Sequence, residues 1–215
     1  MPDTHGEATE HQEAQNSESP REEALYEDDE DDAERALDVV IREETPADLA
    51  AARALISAAF GDDRVGALAD ALRAAPAPLA AQAYVAECDG RLVGHVMLSA
   101  SRLDAPRRLV DVLVLSPLAV LPEYQGRGIG TRLVRRAIAA ADERDVPLLF
   151  LEGSAIYYGA RGFERADAVG FRSPSLRIPP LAFQVARLAG YQPWMTGTLV
   201  YSETFWALDC VGLRA

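Results

Sequence analysis

Leu118-Ala119-Val120-Leu121-Pro122-Glu123-Tyr124-Gln125-Gly126-Arg127-Gly128-Ile129-Gly130 leaves an apolar strand, passes a glycine-rich turn and enters a helix. Upstream, Leu109 to Leu115 is almost continuously apolar, the pattern of a central strand covered on both faces, and it runs through Ser116-Pro117 into Leu118–Val120. Downstream, Ile129, Leu133, Val134, Ala137, Ile138 and Ala141 recur at helical spacing across 128–142. Glycines let backbone close around a ligand, and the unpaired N–H groups of a helix N-terminus carry the positive end of its dipole, so this turn suits an anionic phosphate. No Gly-Lys-Ser/Thr follows, which excludes a Walker loop. The G-x-G-x-G spacing, the late position of the strand and the lack of an acidic residue about twenty positions on also set it apart from a dinucleotide-binding fingerprint.

Working outward, Asp38–Arg42 reads as a first strand. Thr45-Pro46-Ala47-Asp48 is a capping box with proline at the first helical position. Leu49, Ala52, Leu55, Ile56, Ala59 and Phe60 form one helical stripe, and after Gly61 a second amphipathic helix, Val65–Ala74, stops before Pro76 and Pro78. Strands Ala83–Glu87 and Arg91–Ser99 flank Cys88-Asp89-Gly90, whose Asp-Gly pair signals a hairpin. Val146–Leu151 is the next strand, Ser154–Ala160 a short helix, and Phe163–Ala166 and Gly197–Leu208 read as late strands. The pattern predicts an α/β (α+β) fold with a mixed sheet of about seven strands flanked by about four helices.

The chain has 215 residues, about half of them apolar, enough for one principal core. Charge is unevenly distributed: residues 1–44 carry 17 Asp+Glu against three Arg, and the rest is nearly neutral. Residues 1–37 are therefore expected to form a disordered acidic tail before a domain spanning 38–215. All 21 basic residues are Arg and form no patch that would suit nucleic acid. No apolar run reaches the roughly 20 residues needed to cross a bilayer, and MPDTHGEATE has no signal-peptide character. The expectation is a cytoplasmic protein without membrane partners. Cys88 and Cys210 lack metal spacing and read as two idle thiols.

Leu118 to Gly130 resembles motif A of the GCN5-related N-acetyltransferases, with Gln125 to Gly130 meeting every defined position of Gln/Arg-x-x-Gly-x-Gly/Ala. Tyr158-Gly159-Ala160-Arg161-Gly162-Phe163 resembles the Tyr-x-x-x-Gly-Phe that ends the short helix after the fifth strand in that family. Ser116–Pro122, the Tyr157-Tyr158 pair, Leu181–Phe183 and Val200-Tyr201 are similar to the YhbS-like predicted acetyltransferases. The resemblance covers about 38–208. It implies a sheet splayed between the fourth and fifth strands, acetyl-CoA as co-substrate, no metal, and direct transfer to a small-molecule or peptide amine. A homodimer is left open. The pantetheine arm would pair with strand residues Leu118, Ala119 and Val120, and the pyrophosphate would sit on Gln125, Gly126, Arg127, Gly128, Ile129, Gly130 and Thr131. Arg132, Arg135 and Arg136 share a helix face from which one could meet the 3′-phosphate.

Amide formation from an amine and a thioester needs a deprotonated nucleophile and a proton for the departing thiolate. The resemblance implies Tyr158 as that acid, with Tyr157 as the neighbouring alternative. Histone-type members carry a base on the central strand where this chain has Val114. Asp111, Ser116, Glu123 and a water chain are the remaining candidates, and His95 reads as a satisfied structural histidine. Two other classes stay open: a non-catalytic acyl-CoA-binding or sensing module, motivated by the missing strand carboxylate, and a nucleotide-binding protein using the glycine loop.

Overall fold

The computed structural model describes residues 38–212; the acidic segment 1–37 lies outside the described residues. The chain builds β1 (Val39–Glu43), α1 (Leu49–Phe60), α2 (Asp63–Ala74), β2 (Gln82–Cys88), β3 (Arg91–Asp104) and β4 (Leu109–Val120). It continues with α3 (Ile129–Glu143), β5 (Leu148–Glu152), α4 (Ala155–Gly159), β6 (Glu164–Arg165), β7 (Phe171–Arg172), β8 (Phe183–Arg187), β9 (Gly197–Val200) and α5 (Glu203–Ala207). The sheet order is β1-β2-β3-β4-β5-β8-β6, with β9 pairing β3 and β7. The β4–β5 and β7–β9 pairs are parallel, and the other pairs are antiparallel.

Local chemistry explains the early elements. Asp48 accepts hydrogen bonds from the Thr45 N–H (2.8 Å) and hydroxyl (2.7 Å) and pairs with Arg42, so the turn before α1 is tied back to β1. The hydrogen bonds from Arg42 hold the Asp48 carboxyl far below the usual carboxylate range. Gly61, in a left-handed conformation (φ 64°), ends α1. Asp62 then caps α2 by accepting the Arg64 N–H at 2.9 Å. Asp89 (φ 50°) and Gly90 (φ 76°) make the tight β2–β3 turn that the Asp-Gly pair predicts.

The sheet separates two apolar layers. On one face α3 packs Leu133, Val134, Ala137 and Ala141 against Val93, Leu113 and Leu149. On the other, Ile56 of α1 and Leu68 of α2 join Phe150, Phe171, Phe183, Leu199 and Phe205. Alternation along β5 sends Leu149 to one layer and Phe150 to the other. Phe150 stacks on Phe183 and meets Phe171 edge-on, at centroid distances of 5.7 and 5.2 Å.

The mixed α/β reading stands, with nine strands among the described residues where about seven were expected and five α-helices where about four were. Gly197–Leu208 is a strand only to Val200; α5 follows and brings Phe205 onto Tyr201, with ring centroids 4.7 Å apart. Tyr201 and Phe205 are four apart, a spacing a short apolar run does not distinguish from a strand. The Phe183–Arg187 strand lies behind a proline-rich stretch and buries a polar residue, Gln184, which masked its pattern. Strand β3 also extends five residues beyond Ser99, because its far end pairs with β9 through Arg102–Asp104.

Candidate active site

The parallel pairing of β4 with β5 is short. Only Leu113 and Val114 face partners, Leu149 and Phe150. At Ser116-Pro117 two residues of β4 oppose one of β3, a bulge at which proline's missing N–H costs no ladder bond. Beyond it β4 still pairs with β3, matching Leu118 with Val96 and Val120 with Gly94, while β5 has diverged. The Leu121 N–H bonds Val93 O at 3.0 Å, so alternation turns the backbone of Ala119 toward β3 and that of Leu118 and Val120 toward the open edge. Two cavities occupy the wedge, of about 650 and 460 Å³, and Leu118 lines both.

The smaller cavity is a backbone site. Its wall runs from Val120 through Gln125, Gly126 and Gly128 to Thr131. Gly126 and Gly128 adopt φ of 75° and 78°, and no atom lies within 4 Å of where their side chains would begin, so the loop is open on the cavity side. Gly128 starts α3 without a side-chain cap, and the first intrahelical bond runs from Arg132 N–H to Gly128 O. The N–H groups of Ile129, Gly130 and Thr131 therefore have no helical partner. Gln125 Nε2 donates to Val120 O at 3.0 Å, fastening the loop to the strand end. Across the cavity, Arg161 donates to Thr131 Oγ1 at 3.0 and 2.7 Å and to the Tyr157 carbonyl, and its guanidinium lies 3.6 Å from the centre of the Tyr157 ring.

The larger cavity is a side-chain site. Phe60, Val65, Leu68, Leu118 and Phe205 form apolar walls, with Glu152, Tyr158 and Tyr201 among them. Ser154 caps α4, which follows β5 directly and sets Tyr157 and Tyr158 at the junction of the two cavities with their rings edge-to-face at 4.9 Å. Tyr158 also packs on Phe163. A side chain at Gly153 would begin 2.3 Å from the Tyr158 ring, and one at Gly130 would begin 2.3 Å from the Tyr157 hydroxyl, so each tyrosine lies against a glycine. Burial pushes the Tyr158 phenol well above its ordinary value, keeping it protonated. Glu152 accepts the Tyr201 hydroxyl at 2.8 Å and the Gly212 N–H at 3.1 Å; burial raises its carboxyl, and these bonds oppose the rise.

Residues 40–166 fit the acetyltransferase (GNAT) domain family, more than half of the chain. The chain belongs to this family. The uncharacterized N-acetyltransferase YjhQ of Escherichia coli is 32% identical over 117 residues, covering 54% of this chain and 65% of that protein, just under two thirds of its length. Escherichia coli YhbS, solved in complex with CoA, superposes with a TM-score of 0.71 at 29% identity, over 79% of this chain and 93% of that one. A GNAT family acetyltransferase from Brucella melitensis, solved with acetyl-CoA, gives 0.62 at 30% identity, over 78% and 97%.

Within this GNAT domain the remaining candidates fall into two groups. Ser116 lines the larger cavity, and so does Val114, the strand position that carries no carboxylate. Asp111 is exposed beside Arg102 and Glu123 pairs with Arg91, both outside the cavities, so neither is placed as a base. His95 is fully buried against Glu44 at 3.1 Å and Arg73 at 3.3 Å, a structural cluster outside the cavities, and burial lowers its pKa. Ala119 and Arg127 line neither cavity. Arg132 is committed to Val39 O, and Arg136 to Glu143 and the Tyr84 hydroxyl; Arg135 is exposed. Cys88 is buried and Cys210 lines the larger cavity.

Sequence reasoning missed Arg161, Glu152 and Tyr201. Arg161 lies inside the Tyr158–Phe163 motif and could have been questioned as a cation beside a phosphate-type loop. Glu152 carries a weaker signal, a carboxylate closing the apolar run Leu148–Leu151. Among the described residues no group of His, Cys, Asp or Glu is placed to hold a metal ion, and no helix is long and apolar enough to cross a membrane.

Proposed function

We propose that this chain transfers the acetyl group of acetyl-CoA directly to an amine, in a ternary complex assembled across the β4–β5 splay. The observation that carries the reading is the meeting of two unlike cavities at Leu118 and the Tyr157-Tyr158 pair. In this reading the backbone of Leu118 and the N–H of Val120, whose carbonyl already accepts from Gln125, receive the amide-rich pantetheine arm as an added strand. The loop Gln125–Thr131, with its free N–H groups and the start of the α3 dipole, takes the pyrophosphate. Relatives solved with CoA and with acetyl-CoA support this donor.

Tyr158 is the proton donor in the proposed mechanism. The amine attacks the thioester carbon in the wedge, and as the carbon–sulfur bond breaks the phenol proton passes to the sulfur. Burial keeps that proton in place over the working pH range. A binding-only module would have no use for the larger cavity on the far side of the splay, which favours catalysis. The acetyltransferase domain is assigned to residues 38–215 with segment 1–37 outside it, and a cytoplasmic location follows from acetyl-CoA as donor. Calorimetric titration with acetyl-CoA, followed by thiol release across a panel of amines, tests the reading. Tight binding with amine-dependent thiol release is expected; tight binding without release on any amine would favour the sensing module.

A further inference from the structure

Glu152 is the carboxylate of the larger cavity that has no cation. Asp62 there is paired with Arg64, and Asp209 with Arg177, whereas Glu152 makes no ion pair among the described residues. Its oxygens accept one hydroxyl, from Tyr201, and one N–H, from Gly212, fewer bonds than a carboxylate can accept. A desolvated anion among apolar walls is costly unless a cation meets it. Glu152 is also next in sequence to Gly153, against which the Tyr158 ring lies.

We propose that Glu152 receives the ammonium group of the acceptor in the larger cavity and takes its proton, so that the acceptor is a primary amine carried on an apolar body. This rests on the acetyl-transfer reading above. One uncompensated negative charge matches one ammonium group. The walls contributed by Phe60, Val65, Leu68, Leu118 and Phe205 match an alkyl or aryl body, and because the other two carboxylates of the lining, Asp62 and Asp209, are already paired with arginines, the further charges of a polyamine would have to compete for them. The ammonium gives one proton to Glu152, which later releases it to water. The nitrogen lone pair forms the N–C bond and the C–S bond breaks with its electron pair going to sulfur. The nitrogen's second proton is lost to Tyr158 as that phenol's own proton goes to the thiolate, which leaves amide, free thiol and an unchanged enzyme.

Several groups bear on the titration of Glu152. Tyr201 faces it from the segment between β9 and α5, Gly212 N–H from the chain's end and Arg177 acts at longer range, all favouring the anion, while burial opposes it. Asp62 with Arg64, Asp209 with Arg177, and Cys210 and Tyr158 complete the charged and titratable lining. The net effect raises the carboxyl, so kcat/KM should fall with acidification through a pH above the ordinary glutamate value.

The test uses 2-phenylethylamine and hexylamine as acceptors and spermidine as the multiply charged control. With wild type, both monoamines should bind calorimetrically to the CoA-saturated protein and release thiol from acetyl-CoA, with spermidine at least tenfold poorer in kcat/KM. Glu152→Gln should keep acetyl-CoA affinity within twofold, lose at least tenfold in amine affinity and lower kcat by ~10²-fold or more, the usual range for a general base. It should also lack the acid limb and gain about tenfold in rate per pH unit toward the amine's own pKa, since it can use only amine that is already neutral. Tyr201→Phe removes a bond to the carboxylate and should move the acid limb to higher pH with the plateau retained. That variant decides the matter alone should Glu152→Gln fail to fold. Wild type that binds acetyl-CoA but neither binds nor acetylates the monoamines would overturn the proposal, as would identical pH profiles for wild type and variant. Failure of wild type to bind acetyl-CoA would instead remove the reading beneath it.

Discussion

The two cavities on either side of the splay are made of different material. The smaller one is walled by one short stretch of chain, six of the seven residues from Gln125 to Thr131 (all but Arg127), with glycines keeping that wall thin. The larger one presents side chains gathered from the end of α1, the start of α2, the β4 bulge, the end of β5 and the last turn before Gly212. In the proposed reading, a wall of backbone recognises what every acyl-CoA shares, phosphates and amides, and tolerates little change. A wall of side chains can be recomposed without disturbing the sheet, so the fold can keep one donor while changing acceptors.

The strongest way to break this contrast is at the glycines. Gly128→Glu puts a carboxylate into the cradle and an L-residue at φ 78°, and it should abolish measurable acetyl-CoA binding while the thermal melt falls only modestly. Gly130→Glu should also abolish binding, but it additionally displaces the Tyr157 hydroxyl. Calorimetry on the folded variants decides: unchanged affinity in Gly128→Glu would remove the loop from the donor site.

The same contrast governs what could be read from sequence. A site built on contiguous backbone leaves a contiguous signature, so the strand, the turn and α3 were legible from Leu118 to Asp142. The Asp-Gly hairpin and the Thr45–Asp48 turn were legible for the same reason, because local chemistry decides them. Glu152 and Tyr201 are 49 residues apart and meet through sheet topology, which no local pattern reports. The three arginines of α3 were legible as a polar face but not by their partners: Arg132 is held by Val39 O of β1, and Arg136 by the Tyr84 hydroxyl of β2 and by Glu143 at the end of α3 itself. Arg161, from the turn after α4, lines the cradle instead.

At the seam between the cavities, Tyr158→Phe keeps the ring against Gly153 and Phe163 and removes only the hydroxyl. Acetyl-CoA affinity should hold while kcat falls by ~10²–10⁴-fold if chemistry limits turnover. Tyr157→Phe, run alongside in single-turnover mode, sharpens the assignment. A slow Tyr157→Phe beside a fully active Tyr158→Phe would transfer the acid role by one residue. Full activity in both would leave the seam with positioning alone.

Arg161 tests whether the backbone wall needs a side-chain partner. It meets a hydroxyl, a carbonyl and an aromatic face, and no carboxylate among the described residues, so a phosphate could recruit it without breaking an ion pair. Arg161→Ala should weaken acetyl-CoA by about tenfold, the scale of one charge-assisted hydrogen bond in a partly exposed site. The loss should shrink at high salt, where the wild-type advantage is screened. Arg161→Lys should recover part of it, since an ammonium keeps the charge but not the fork. Equal affinity for all three at low salt would leave the pyrophosphate to the backbone alone.

The smallest effect is expected outside the comparison altogether. Deleting residues 1–36 removes most of the chain's formal charge of −13, and that charge has the same sign as the phosphates of acetyl-CoA. If the segment lay over the smaller cavity, its removal would raise donor affinity; if it contributed packing, its removal would lower the melting temperature. Neither is expected, because the segment carries only Leu25 and Tyr26 as sizeable apolar residues beyond Met1 and so has little apolar surface to bury against the domain. At about 0.15 M salt the Debye length is ~8 Å, so charges not held against the cradle are screened from it. Acetyl-CoA affinity should stay within twofold and the melt within a degree or two at that salt. A repeat at tenfold lower ionic strength separates the remaining cases. A gain in affinity confined to low salt would mark long-range repulsion between the acidic segment and the donor, whereas a change that persists at 0.15 M would show direct contact and overturn the separation of this segment from the catalytic domain.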